Sequence, residues 1–149
     1  MIARRFGALA VAALVTLACG GTSPAGTTTT TGDTITFGAP LGLTGSLTKE
    51  STLTQQGYDL WADWINQQGG INIAGVKHPI KIKYYDDTSN ANQSAVLIQK
   101  LITEDKAQFL LGPYGSAATA TDAAIAEKNQ IPMVEANGAA QAIFNQGYK

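Results

Sequence analysis

A chain of 149 residues, 44% apolar and 14% charged with a mean hydropathy of -0.01, is long enough for one packed domain and too polar to be membrane-embedded throughout. A formal charge of -1 supplies no clustered basic surface, so nucleic acid is not an expected partner. One cysteine and one histidine exclude an internal disulfide and the zinc sets built from four Cys/His ligands.

Met1 to Arg5 is a short basic start, and Phe6 to Ala18 is a small and apolar run about the length of a signal h-region, too short to span a bilayer. Residues 1–18 therefore read as a signal peptide. The run closes on Leu17-Ala18-Cys19-Gly20-Gly21, which resembles the bacterial lipoprotein box, with Thr16 where leucine is usual. Cys19 is then the expected lipidation site, because nothing around it could bury it in a core. Arg4-Arg5 also resembles part of a twin-arginine export signal, but Phe6 comes one residue too early. Removing Arg4 and Arg5 with the signal leaves 8 basic against 11 acidic residues. Residues 19–33, with six threonines and several glycines, have no periodicity and read as a flexible tether.

A folded unit is expected over 34–149. Thr34 to Gly38 alternates as a first strand, and a turn with Gly42, Thr44, Gly45 and Ser46 follows. Leu53, Gly57, Leu60, Trp61, Trp64 and Ile65 recur at three- and four-residue spacing, which predicts a helix ending at Gly69-Gly70 with both tryptophans on its packed stripe. Ile80, Ile82 and Tyr84 alternate with Lys81, Lys83 and Tyr85, a strand with one wet face near a sheet edge. His78, before Pro79, reads as a surface loop residue. Asp86 and Asp87 suit turn and capping roles at the strand end better than a metal site or carboxylate dyad. Asn90 with Gln93 has capping-box spacing for the next helix.

The stretch Phe109-Leu110-Leu111-Gly112-Pro113-Tyr114-Gly115-Ser116 predicts a short buried strand, a tight turn and a helix starting at the serine. Unpaired N–H groups at such a helix start favour an anion. Ile131 to Glu135, a turn at Ala136-Asn137-Gly138 and a short helix from Ala139 to Phe144 repeat the arrangement, so that two adjacent loops border one cleft. Strand and helix thus alternate four times, which implies an α/β fold with a doubly wound parallel sheet whose ligands sit beyond the carboxyl ends of the strands.

Chemistry is harder to place there. Pro40 breaks the Gly-x-Gly-x-x-Gly nucleotide fingerprint, and no Gly-Lys-Ser/Thr phosphate loop occurs. Ser116 lacks the Gly-x-Ser-x-Gly setting of a nucleophile, and the single histidine lies far upstream. No catalytic residue, metal or cofactor is expected.

Leu41-Gly42-Leu43-Thr44-Gly45, Gly57, Trp64-Ile65-Asn66 with Gly69-Gly70-Ile71, Tyr85-Asp86-Asp87, Leu111-Gly112-Pro113 with Ser116, and Pro132-Met133-Val134-Glu135 follow in order and spacing. Together they resemble the start of a type I periplasmic substrate-binding protein, in the branch serving ABC importers of branched-chain amino acids. The resemblance implies the first lobe of a longer two-lobed receptor that closes on an amino-acid-like solute and hands it to a membrane permease outside the cytoplasm. The second lobe, the hinge and the residues that clasp the ammonium group are then missing from this stretch, and half a cleft binds weakly. Carried over by position, Ser116 holds the ligand carboxylate through its hydroxyl, helped by N–H groups at the helix start such as that of Ala117. Asn137, Gly138 and Ala139 match the second binding loop, where Ala139 brings no hydroxyl. Glu50 falls where binders of aliphatic amino acids place an aromatic ring, and a carboxylate there suits a polar, amide or cationic ligand unless it turns to solvent. Tyr114 either walls the cleft or packs, and the plain alternative for Ser116 is a helix N-cap. A sensing domain of a signalling receptor shares the fold and is the second reading; an exported Rossmann-type enzyme is the third.

Overall fold

The computed structural model describes residues 31–135 and 137–148. The expected signal, Cys19 and most of the tether lie outside the described residues, as does Ala136 of the second turn. The end of the expected tether already rests on the folded part: Thr31 bridges Lys77, and the Gly32 N–H donates to the Lys77 carbonyl at 2.7 Å.

Four parallel strands form the sheet in the order β4-β1-β5-β6, with β1 at Ile35–Leu41, β4 at Ile80–Asp86, β5 at Phe109–Leu111 and β6 at Met133–Val134. From β1 the chain crosses to β4 through α1 (Thr48–Gln67) and returns past β1 to β5 through α2 (Ala91–Thr103). The direction of winding therefore reverses between β1 and β5, and at such a reversal the loops at the strand ends part to leave a crevice. Helix α3 (Ser116–Asn129) leads on to β6, and α4 (Gln141–Phe144) follows it.

Each face of the sheet has its own core. Ile35, Phe37, Ala39, Ile80 and Leu111 are buried under Tyr58, Trp61, Ala62 and Ile65 of α1. On the other face Ile98, Leu101, Ala107, Leu110 and Ala126 join α2 and α3 to the sheet. Ile98, Leu101 and Leu110 are fully buried, each worth about 1.5–3 kcal/mol of apolar burial. That is enough to hold α2 in place despite its exposed Val96. Gly38 is the point of close approach: an added Cβ would lie 3.1 Å from the Leu101 side chain.

Three expectations need correction. The strand β1 runs on through Pro40 to Leu41. Because β5 pairs with β1 only at Phe37 and Gly38, by Pro40 that side of the strand no longer has a partner that needs an N–H. A hairpin not anticipated from the sequence, β2 (Ile71–Ile73) and β3 (Val76–His78), sits between α1 and β4. Its turn uses Ala74 at φ 51° and Gly75 at φ 89°, with the Gly75 N–H donating to the Asn72 side chain. His78 accordingly lies in a strand opposite Ile71, its Nδ1 2.9 Å from the Asp33 carbonyl.

The third correction concerns α1. Leu53, Leu60 and Trp64 are 59, 73 and 58% exposed, so the expected stripe is mostly solvent-facing. Residues 58, 61, 62 and 65 form an equally periodic stripe one residue further round the helix, and that one packs. Trp61 belongs to it, meeting Phe37 edge-on at 5.1 Å. Other expectations hold: β4 is an edge strand with Lys81 and Lys83 exposed, and Asn90 caps α2 by accepting from the Asn92 and Gln93 N–H groups.

Candidate ligand-binding site

The loops following β1, β4, β5 and β6 meet at the carboxyl end of the sheet. Asp86 fixes the first of them by accepting from the Thr44 hydroxyl at 2.7 Å and from the Thr44 and Thr88 N–H groups. Desolvation works against its charge, but these donors prevail and hold the carboxyl below its usual range. Asp87 is buried and accepts from the Ser89 N–H at 2.8 Å; burial pushes its carboxyl up. Both carboxylates thus tie turns together, as expected of residues at a strand end. The Ser89 hydroxyl completes the junction, donating to the Thr44 carbonyl and accepting from the Leu47 N–H at the start of α1. An added Cβ on Gly42 would lie 2.8 Å from that hydroxyl, so the close turn needs glycine.

After β5 the turn depends on Gly115, whose φ of 95° is strained for any side chain. Gly115 is the N-cap of α3 and offers no side-chain cap. The first helical bond is Thr119 N–H to the Gly115 carbonyl at 3.1 Å, which leaves the N–H groups of Ser116, Ala117 and Ala118 with no backbone acceptor among the described residues. A cavity of about 160 Å³ opens at this helix start, bordered by Gly42, Ser89, Tyr114, Ser116 and Ala117. Asp87 borders it too, with its carboxylate engaged by Ser89.

Ser116 is not a plain N-cap. Its hydroxyl accepts from the Ala140 N–H at 3.1 Å, which fastens the first loop to the second and leaves the hydroxyl proton free to donate. On the second loop Glu135 accepts from the Asn137 and Gly138 N–H groups, so these two donors are already used within the protein. Gly138 is buried against Thr119 and Ile143, where an added Cβ would meet both within 2.9 Å. Ala117 and Ala139 are exposed. The Asn137 amide nitrogen lies 3.4 Å from the Thr54 hydroxyl of α1.

A second cavity, about 290 Å³, is lined by Glu50, Leu53, Thr54, Tyr114 and Asn137. Tyr114 borders both cavities and so walls the space between them. Glu50, Tyr114, Ser116, Ala117 and Asn137 are therefore brought to one region, while Gly138 supports it from behind. The sequence reasoning missed Thr54, Tyr58 and Ser89. Tyr58 donates to the Gly112 carbonyl at 2.7 Å, pinning α1 to the β5 turn. Burial, then the Glu135 charge, pushes its hydroxyl up to about 12, so it keeps its proton near neutral pH. Polar residues at positions 51, 54 and 58 on the inner side of an otherwise amphipathic helix are the signal that could have found two of these.

A larger cavity, about 410 Å³, lies beside β6 and α4 among Ile131, Met133, Ile143, Phe144 and Tyr148. It is the poorer candidate, because its lining is mostly apolar. Ser116 also has no histidine near it: His78 sits at the opposite end of the sheet, bonded next to the start of β1. The arrangement offers hydrogen-bond donors on which a small anion could rest.

A parallel α/β lobe with its loops gathered at the carboxyl edge has the fold of the first lobe of the substrate-binding proteins of ABC transporters. Residues 34–147 match the periplasmic binding protein family, and the chain belongs to that family of extracytoplasmic solute-binding proteins. Among solved structures it is similar to the branched-chain amino acid transporter substrate-binding protein of Streptococcus pneumoniae, in complex with isoleucine. That match has 31% identity and a TM-score of 0.67, over 74% of this chain and 30% of the other. It is also similar to an ABC transporter solute-binding protein of R. palustris in complex with benzoate, at 26% identity and a TM-score of 0.62 over 74% of this chain and 29% of that one. A leucine-binding protein of Thermotoga maritima shares the fold at 19% identity and a TM-score of 0.65, over 76% of this chain and 30% of the other. The chain spans about 30% of the length of these structures.

Proposed function

We propose that this chain forms the first lobe of an extracytoplasmic receptor that takes up a small carboxylate-bearing solute, an amino acid or a related compound, and delivers it to an ABC permease. Lipidation at Cys19 would hold the receptor at the membrane, with the threonine-rich tether letting the lobe stand away from it. The observation that carries the reading is the start of α3, where three N–H groups with no backbone acceptor among the described residues and a Ser116 hydroxyl free to donate converge beside a cavity. Donors fixed in this way suit a carboxylate. Isoleucine and benzoate, held by two of the similar proteins, are both carboxylates. Ser116, Ala117, Tyr114 and Asn137 would touch the solute, and Gly138 and Ala139 would shape the second loop.

The test is thermal stabilisation of the protein expressed from the complete reading frame that carries this sequence, against amino acids, benzoates and their uncharged amides. At least one carboxylate is expected to raise Tm by several degrees at a concentration far above its Kd, while its amide does not. No shift with any carboxylate contradicts the proposal.

A further inference from the structure

The cavity on the α1 side of Tyr114 differs from the one at the start of α3 in the sign of what it presents. Glu50 lines it, and among the described residues the Glu50 carboxylate has neither a hydrogen bond nor an ion pair. No lysine or arginine lines either cavity. The Thr54 hydroxyl spends its proton on the Glu50 backbone carbonyl at 3.0 Å, so towards the cavity it offers lone pairs. The Asn137 amide nitrogen is turned to that same hydroxyl at 3.4 Å, which leaves its oxygen as an acceptor. Only Leu53 supplies aliphatic surface, and it is 59% exposed. Tyr114 lines it as well, and an aromatic ring attracts a cation placed over its face.

We propose that this cavity selects a solute whose far end is cationic, an ammonium or a guanidinium, while its carboxylate sits at the start of α3. The inference rests on the receptor reading above and names the ligand class within it. Donors on one side of Tyr114 and acceptors with an unpaired negative charge on the other match a molecule with opposite charges at its two ends. An aliphatic side chain in the same place would strip water from the Glu50 carboxylate and return nothing.

Titration calorimetry on the protein from the complete reading frame, with L-arginine, L-lysine, L-citrulline, L-isoleucine and benzoate as probes, tests this. Citrulline has nearly the shape of arginine without its charge. Arginine or lysine is expected to bind at least about tenfold more tightly than citrulline or isoleucine. Glu50→Gln should reduce that preference to about twofold. Glu50 also stands in the first turn of α1, where a purely structural role would lower the melting temperature of Glu50→Gln and leave the preference intact. That result overturns the proposal. If isoleucine or benzoate binds and the cationic amino acids do not, the receptor stands and this inference falls. If none of the five binds, this inference falls, and the receptor reading is decided by the stabilisation screen above.

Discussion

Replacing Asp122 with asparagine is expected to flatten the pH dependence of folding between about pH 5 and 7, and to stabilise the protein at pH 8. Asp122 projects from α3 into the seam with α2 and is fully buried. The Ser94 hydroxyl donates to one of its oxygens at 2.7 Å, and among the described residues the other oxygen has no hydrogen-bond partner. Burial pushes the carboxyl up to about 7; the Ser94 bond pulls it back, and the nearby charges of Asp87 and Glu135 push it further up. The sign follows from which state holds the proton. Between the unfolded value near 3.8 and the folded value near 7 the folded protein binds one more proton than the unfolded chain. Stability therefore falls as pH rises through that window, by about 1.4 kcal/mol per pH unit for one proton, and levels off above it. Asp87, raised by its own burial, adds a smaller share in the same direction. Asparagine can still accept from Ser94 but cannot ionise, though burying its amide N–H groups costs about 1 kcal/mol. Net stabilisation at pH 8 should be on the order of 2–3 kcal/mol. Urea melts of both proteins across pH 5–8 check it, and equal slopes would show that Asp122 is ionised throughout.

Ser116→Ala is expected to weaken solute binding by about 10- to 150-fold, the range for losing one hydrogen bond to a charged group. Two losses combine here. The free hydroxyl proton would donate to a carboxylate resting on the α3 N–H groups, and the hydroxyl oxygen accepts the Ala140 N–H that holds the second loop in place. Ser116→Thr retains both functions and should recover most of the affinity, which separates loss of the hydroxyl from general damage. Calorimetry with the solute that stabilises the protein most gives the numbers. Unchanged affinity in a folded Ser116→Ala protein would mean that the solute does not rest on this residue.

Much of this site was legible because backbone geometry dictated its residues. The run from Phe109 to Ser116 combines a strand buried at Leu110 and Leu111 but exposed at Phe109, a glycine at positive φ and a helix start, and few arrangements satisfy all three. Asn90 announced its cap in the same local way. What stayed hidden depends on long-range packing. On α1 two stripes share the same period, and only the sheet opposite decides that Trp61 packs and Trp64 does not. Ala74 carries no turn signal of its own; the hairpin forms because Ile71–Ile73 and Val76–His78 can pair across it. Asp122 looks like a surface residue in an alanine-rich helix. It is buried because small side chains let α3 come close to α2, and Ser94 is there to meet it. The Glu135 carboxylate turned back onto the Asn137 and Gly138 N–H groups was equally invisible, since it takes donors that the sequence assigned to a ligand.

The most direct test is an amide nitrogen and proton chemical-shift titration of the protein from the complete reading frame, with a stabilising carboxylate and with its primary amide. If a carboxylate rests on the start of α3, the Ser116, Ala117 and Ala118 amide signals should move with the carboxylate and not with the amide. A bound carboxylate that leaves those three signals in place would contradict the account.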